Sequence, residues 1–284
     1  MNSLTVREAL NRASSFMESL DDGRFLAEIM IRHQLGWDRT QFFLGMNDSL
    51  SEEDWSAIER MVNDRLSGIP VQYLIGQQEF YGLLFEVNPS VLIPRPETEI
   101  LVEQVLKHCD PQAALVGADI GTGSGAIAVS LAVHSQWRMY AVDIAQESLD
   151  TAQKNSRTHG VEHQMTFLQG DLLVPLPEPV DILVSNPPYI PSQDILELDV
   201  QVKDHEPMRA LDGGVDGLDF YRRLCEGLPK VLRPGGFVAF EVGMGQAREV
   251  ECLMQASGVI ERTEVIADLA GIERIVMGKR GKSL

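Results

Sequence analysis

Val180-Asp181-Ile182-Leu183-Val184-Ser185-Asn186-Pro187-Pro188-Tyr189 joins a short apolar run to a rigid turn. The run has the length and β-branched content of a buried parallel strand. Two consecutive prolines end it, because neither has an N–H and both fix φ. The turn therefore falls at the strand's carboxyl end, the edge of an open α/β sheet where ligands bind. There Asn186 offers an amide C=O and an NH2, Pro187 a backbone carbonyl and Tyr189 a flat ring. With Pro188 stiffening the bend, these residues make a pocket for a planar group that carries an NH2. An Asn-Pro pair alone marks only a turn. Its place after an apolar strand, downstream of a glycine-rich loop, gives it chemical meaning.

That loop is Asp119-Ile120-Gly121-Thr122-Gly123-Ser124-Gly125, between a strand over 115–120 and a helix over 126–133. Glycines let the backbone turn tightly and approach a ligand closely. The helix N-terminus adds unpaired N–H groups. The spacing is G-x-G-x-G rather than G-x-G-x-x-G, and no Gly-Lys-Ser/Thr follows, which disfavours a dinucleotide and ATP. Asp143 closes the next strand, 138–143, where an acid accepts hydrogen bonds from a ribose diol. Capping of the following helix is the structural alternative. After a third strand, 165–168, comes Gln169-Gly170-Asp171-Leu172. There Asp171 is placed to meet an exocyclic amine and Leu172 a ring face. Strand-like runs at 180–185, 236–242, 259–266 and 273–277 continue the series. They alternate with helical patterns, as in a parallel sheet flanked by helices. The last two read as a hairpin turning at 268–271.

Upstream, residues 1–75 read as a helical bundle. Thr5 and Glu8 form a capping box for a helix through Val6, Ala9 and Leu10. A second helix runs through 24–31 and ends at Leu35-Gly36. A third opens at Leu50 or Ser51, with Trp55, Ile58, Met61, Val62 and Leu66 on one stripe, and Gly68-Ile69-Pro70 stops it. The aromatics Phe16, Phe25, Trp37, Phe42, Phe43 and Trp55 are expected in its core. Residues 78–82 and 83–87 read as two short strands around a Gly turn, a hairpin joining the two domains. Then Leu92-Ile93-Pro94-Arg95-Pro96-Glu97-Thr98-Glu99 leads into a helix. Arg95, between two prolines, is held extended. It reads as a solvated charge or as an orienting residue for the nearby site.

The 284 residues carry a net charge of −18, which argues against a partner held mainly through phosphates. Cys109, Cys225 and Cys252 lie far apart and read as small buried hydrophobes in a reducing compartment. No signal-like apolar segment opens the chain and no long apolar run suggests a membrane span. No His/Cys/Asp cluster stands at ligand spacing, so no metal is expected.

The order of glycine loop, acid, Gly-Asp and Asn-Pro-Pro-Tyr at successive strand ends resembles the class I S-adenosylmethionine-dependent methyltransferases that act on planar nitrogens. The stretch from Leu92 to Glu99, Glu206-Pro207-Met208-Arg209-Ala210-Leu211 and Gly213-Gly214-Val215-Asp216-Gly217-Leu218 narrow it. Together they resemble the HemK/PrmC family of peptide chain release factor glutamine N5-methyltransferases. The resemblance implies an α/β, Rossmann-like fold with a seven-stranded, mostly parallel sheet. It implies an N-terminal bundle over 1–75 for substrate docking, a β-hairpin linker over 76–95 and a methyltransferase domain over 96–284. It implies S-adenosyl-L-methionine as donor, held by Gly121, Thr122, Gly123, Ser124, Gly125, Asp143, Asp171, Leu172 and Asn186. Leu172 stands where some relatives carry Trp and keeps an apolar packing role. Asn186, Pro187, Pro188, Tyr189 and Arg95 would hold the glutamine of the release factor's Gly-Gly-Gln loop, with Tyr189 packing on the amide plane. Glu206 and Arg209 are site-proximal, without an assigned role. A cytoplasmic monomer is expected, with no nucleic acid or membrane as direct partner.

Two other readings stand beside this one. A DNA or RNA adenine- or cytosine-N-methyltransferase uses a similar proline-rich turn on a flipped base, but would call for a basic surface. A non-catalytic nucleotide-binding module would keep the glycine loop and Asp143 but need no substrate-holding turn. A nicotinamide oxidoreductase fits less well, because the glycine spacing is wrong.

Overall fold

The computed structural model describes residues 4–282. The chain divides into two compact units, Met1–Gly76 with Asp199–His205, and Gln77–Leu198 with Glu206–Leu284. The hairpin expected to form a linker, β1 (Gln77–Phe80) and β2 (Leu83–Glu86), therefore belongs to the second unit. Its turn is Tyr81-Gly82, both at positive φ (51° and 70°), the backbone a two-residue hairpin requires. Phe80 and Phe85 are fully buried in the second unit's core. The Glu86 N–H donates to Asn155 Oδ1 at 2.7 Å, so the hairpin is sewn to the helix Gln146–Thr158.

The second unit holds a seven-stranded sheet, β3 (Val116–Ile120), β4 (Arg138–Asp143), β5 (Met165–Gln169), β6 (Val180–Ser185), β7 (Leu232–Glu241), β8 (Ile260–Ala267) and β9 (Glu273–Arg280). Its order is β5-β4-β3-β6-β7-β9-β8, with β9 antiparallel to β7 and β8 and all other pairs parallel. Strand order reverses between β3 and β6, which is the switch point where such sheets bind ligands. At that point the Ser185 hydroxyl donates to the Ile120 carbonyl at 2.6 Å.

The continuous apolar runs follow from burial on both faces. In β6, Ile182 and Val184 join one core and Leu183 the other; β7 divides Phe237 and Ala239 from Val238 and Phe240 in the same way. Fully burying a Val, Leu, Ile or Phe side chain in this way stabilises by about 1.5–3 kcal/mol. One core is closed by the helices Glu99–His108 and Ala126–Val133, the other by Asp219–Val231 and Ala247–Ala256. Cys252 departs from the expected burial and is exposed. The buried stripe of its helix is Ala247, Val250 and Met254, and Cys252 falls between those positions.

The N-terminal unit carries the helices Val6–Phe16, Gly23–Leu35, Arg39–Leu44, Glu52–Leu66, Val71–Ile75 and Val200–Lys203. The Thr5–Glu8 capping box is present in both directions, and Gly36 ends the second helix in the left-handed conformation. The core is made of small and aliphatic groups, among them Ala9, Leu10, Ala13, Leu26, Met30, Ile58 and Val62, with Phe42 the one fully buried phenylalanine of that cluster. Phe16, Phe25 and Phe43 are exposed, and Leu66 is half exposed, contrary to expectation. Helical phase accounts for Phe25, which lies across its helix from the buried Leu26, Ala27, Met30 and Ile31; Phe16 is the last residue of its helix, and Phe43 follows the buried Phe42 on a helix of six residues. Trp55 is partly buried and carries the Arg12 guanidinium 5.4 Å over its ring. Among the described residues no helix is long and apolar enough to cross a membrane.

Candidate active site

A cleft of about 670 Å³ opens at the carboxyl ends of β3, β4, β5 and β6. Gly121 to Ser124, Asp143, Asp171, Leu172, Asn186, Pro187, Pro188 and Arg95 all line it. Two expected site residues do not. Gly125 sits at the start of the helix Ala126–Val133 with φ 80°, and a Cβ there would lie 2.9 Å from the Cβ of Ala152. Its glycine serves close packing of two helices. Tyr189, expected on the amide plane, also lies outside the lining. Its side chain packs against the core near Gly243, and burial pushes its phenol up to about 12. Its carbonyl accepts from Gln246 Nε2 at 2.9 Å. Tyr189 thus supports the turn from behind.

The glycine loop is tethered from both sides. Gly121 and Thr122 both donate to the Val142 carbonyl, at 2.8 and 2.9 Å. Asp143 accepts the Gly123 N–H on one carboxylate oxygen and the Ala145 N–H on the other, each at 2.9 Å. The aspartate is therefore both a turn-former and a wall of the cleft. Below the loop, Asp119 is fully buried; its Oδ2 accepts from the Thr122 hydroxyl at 2.7 Å and its Oδ1 has no partner. Burial, partly opposed by that bond, lifts its carboxyl to about 7. At Gly121 and Gly123, φ is 75° and 56° and a Cβ would meet nothing within 4 Å. The bare backbone faces open cleft.

Past β5, Leu172 holds φ 48°, a costly conformation for a side-chain-bearing residue. Asp171 pairs with Arg223, both half exposed. Ile144, exposed directly after Asp143, adds an apolar wall that sequence reading missed; an apolar residue following an acid at a strand end is the signal that could have found it.

Opposite the glycine loop, Asn186 Nδ2 donates to Thr98 Oγ1 at 3.2 Å. Arg95 is extended, as expected between prolines, and pairs with Glu206, whose carboxylate is almost wholly buried. Glu206 also accepts the Ile93 N–H at 3.3 Å. Arg209 donates to the Ser90 carbonyl at 2.6 Å. These bonds hold the segments 90–95 and 206–210 together over the cleft. The segment after the proline turn is pinned too: Ile190 N–H donates to Leu211 O at 3.0 Å and Gly213 N–H to Ile190 O at 2.9 Å. Among the described residues no group of three or more His, Cys, Asp or Glu could hold a metal ion.

The cleft thus offers bare backbone and an acid on one wall, apolar side chains beside it and a carboxamide on the facing turn. Residues 8–76 match the model of the PrmC N-terminal domain, and residues 96–201 that of the methyltransferase small domain. The release factor glutamine methyltransferase of Bacillus anthracis is 44% identical, with 97% of this chain and 99% of the relative covered. That of Moorella thermoacetica is 41% identical, with 98% and 99% covered. A methyltransferase structure from Pyrococcus furiosus matches with a TM-score of 0.54 at 18% identity, covering 77% of this chain and 99% of that one; it speaks for the fold alone.

Proposed function

We infer the reaction from kinship: the chain belongs to the release factor glutamine methyltransferase family, and it is a protein-glutamine methyltransferase. Its donor is S-adenosyl-L-methionine, and its acceptor is the side-chain nitrogen of the glutamine in the Gly-Gly-Gln loop of a peptide chain release factor. The observation that carries this reading is Asn186, whose carboxamide stands on the cleft wall facing a glycine loop with open space before it.

The cleft residues fit the donor. Gly121 and Gly123 leave room for its chain, Asp143 keeps lone pairs for a diol beyond its two backbone bonds, and Leu172 and Ile144 offer apolar faces to a base. When bound, this donor supplies an electrophilic methyl on a sulfonium. An amide nitrogen is a poor nucleophile because its lone pair is delocalised into the carbonyl. Asn186 Oδ1 and the Pro187 carbonyl answer this by accepting both N–H bonds of the glutamine. They fix the nitrogen in line with the methyl and stabilise the positive charge that grows on it. Transfer of that methyl to the nitrogen would leave the donor as a neutral thioether and pass one N–H proton to solvent water. Arg95, held by Glu206, orients the acceptor segment. The N-terminal unit, with exposed Phe16, Phe25 and Phe43, serves to dock the release factor.

The test is incubation with methyl-labelled S-adenosylmethionine and purified release factor, followed by mass mapping. Label on the Gly-Gly-Gln glutamine is expected. Label on nucleic acid, or on no substrate, would overturn the reading.

A further inference from the structure

Glu241 ends β7, and Val242-Gly243-Met244-Gly245-Gln246 carries the chain to the helix Ala247–Ala256. Gln246 stands at that helix's N-cap, where Ser, Thr, Asp and Asn are preferred because their short side chains cap the first N–H groups. Gln246 makes no such cap. Local rules of this kind are broken mainly at functional sites, and the amide of Gln246 is spent on one.

Gln246 Nε2 donates to the Tyr189 carbonyl at 2.9 Å and to the Gly217 carbonyl at 3.4 Å, and Oε1 accepts the Gly243 N–H at 3.0 Å. Backbone carbonyls only accept and a backbone N–H only donates, so a single orientation of the amide satisfies all three. The segments it joins lie in close contact. A Cβ on Gly217 would stand 2.2 Å from the Tyr189 carbonyl oxygen, and one on Gly243 3.0 Å from the Tyr189 ring. The peptide group after Tyr189 is held at its other end as well, where the Ile190 N–H meets the Leu211 carbonyl at 3.0 Å.

We propose that Gln246 is a positioning residue for the acceptor. By holding the Tyr189 carbonyl, it sets where the proline turn stands in the cleft. Only Pro187 and Pro188 separate Tyr189 from Asn186. Their fixed φ passes a shift at Tyr189 on to the Pro187 carbonyl and to Asn186 instead of absorbing it. Gln246 is not part of the cleft lining, so it touches no substrate and acts through the turn. Its side-chain bonds go to residues 189, 217 and 243 and to none of the glycine loop. Donor binding is therefore independent of it, while alignment of the glutamine nitrogen is not.

The proposal rests on the glutamine reading above, so the experiment carries a readout that needs no substrate. Q246E and Q246M separate the two ends of the amide. Kept ionised at about pH 9, the carboxylate of Q246E still accepts from Gly243 but has no proton for Tyr189. The thioether of Q246M has no donor and only a weak acceptor. Both variants are expected to lower kcat on release factor about tenfold or more, the scale of a small misplacement of reacting groups. S-adenosylmethionine affinity by calorimetry is expected to stay unchanged. In the free protein, the Ile190 amide is expected to exchange with water faster in both variants, and the Gly243 amide faster in Q246M alone. Should Q246E fail to fold, Q246M carries the test through kcat, donor affinity and the Ile190 amide. Undiminished kcat would overturn the proposal, as would wild-type exchange at Ile190 or a loss of donor affinity as large as the loss of kcat. Absence of wild-type methylation of any release factor, with the Ile190 exchange pattern as expected, would overturn the glutamine reading instead.

Discussion

The glycine loop after β3 and the proline turn after β6 face each other across one cleft, yet they are held in opposite ways. The loop is fixed by near neighbours: Thr122 to Asp119, 3 residues apart, and Gly123 to Asp143, 20 apart. The turn is fixed by remote segments: Asn186 to Thr98, 88 residues away, and Tyr189 to Gln246, 57 away. Each rests on a buried carboxyl lifted to about 7, Asp119 under the loop and Glu241 behind the turn. The difference separates two tasks. A donor side built from its own backbone depends little on the rest of the fold. An acceptor side that must orient one carboxamide depends on the whole sheet being assembled.

Four measurements break or sharpen that contrast. The largest effect is expected at the turn: Asn186→Ala should cut kcat by roughly 10² or more, the order lost with one preorganised polar contact. Donor affinity should stay near wild type. Turnover close to wild type would remove Asn186 from the reaction.

Next come the two buried carboxyls. Their folded values stand above the ordinary carboxylate range, so the folded state holds protons that the unfolded state has released. Their contribution is fully present below about pH 4 and is lost as pH rises through about 7. Urea unfolding should show wild-type stability falling between pH 5 and pH 7 by more than in the Asp119→Asn/Glu241→Gln double variant, the excess being on the order of 2 kcal/mol for each group. Parallel pH profiles for the two proteins would show that neither group holds a proton in the fold.

A smaller loss is expected where the loop meets its helix. Gly125→Ala forces a left-handed alanine against Ala152 and should cost about 1–2 kcal/mol, read as a lower urea midpoint. An unchanged midpoint would mean that the two helices can separate freely. The smallest effect is expected at Asp143→Asn. It leaves one carbonyl oxygen where two backbone N–H groups now have two, and should weaken S-adenosylmethionine binding about tenfold, consistent with losing a hydrogen bond to a charged group worth about 1.5–3 kcal/mol in part. A greater loss in kcat than in donor affinity would place Asp143 on the acceptor side and undo the contrast.

The aromatic residues show where sequence reading fails. Phe42 is buried while its neighbour Phe43 is exposed, with the Arg39 guanidinium 5.8 Å over its ring. Hydrophobicity is the same at both positions, and only the packing of neighbouring helices chooses between them. Tyr189 was legible as part of a turn, but its direction was not. Whether it meets ligand or core depends on the loop around Gly243, which arrives from beyond β7.

The sequence by itself determined the order of strands and helices, the two sharp turns and the chemical types at their tips. Those features depend on apolar runs, on proline and glycine dihedrals and on groups a few residues apart. Only the tertiary structure decided that Thr98 would meet Asn186, that Glu206 would anchor Arg95 and that Tyr189 would turn inward. Such partners are brought together by strand order and helix packing, and no local pattern records which distant side chain will meet a given amide.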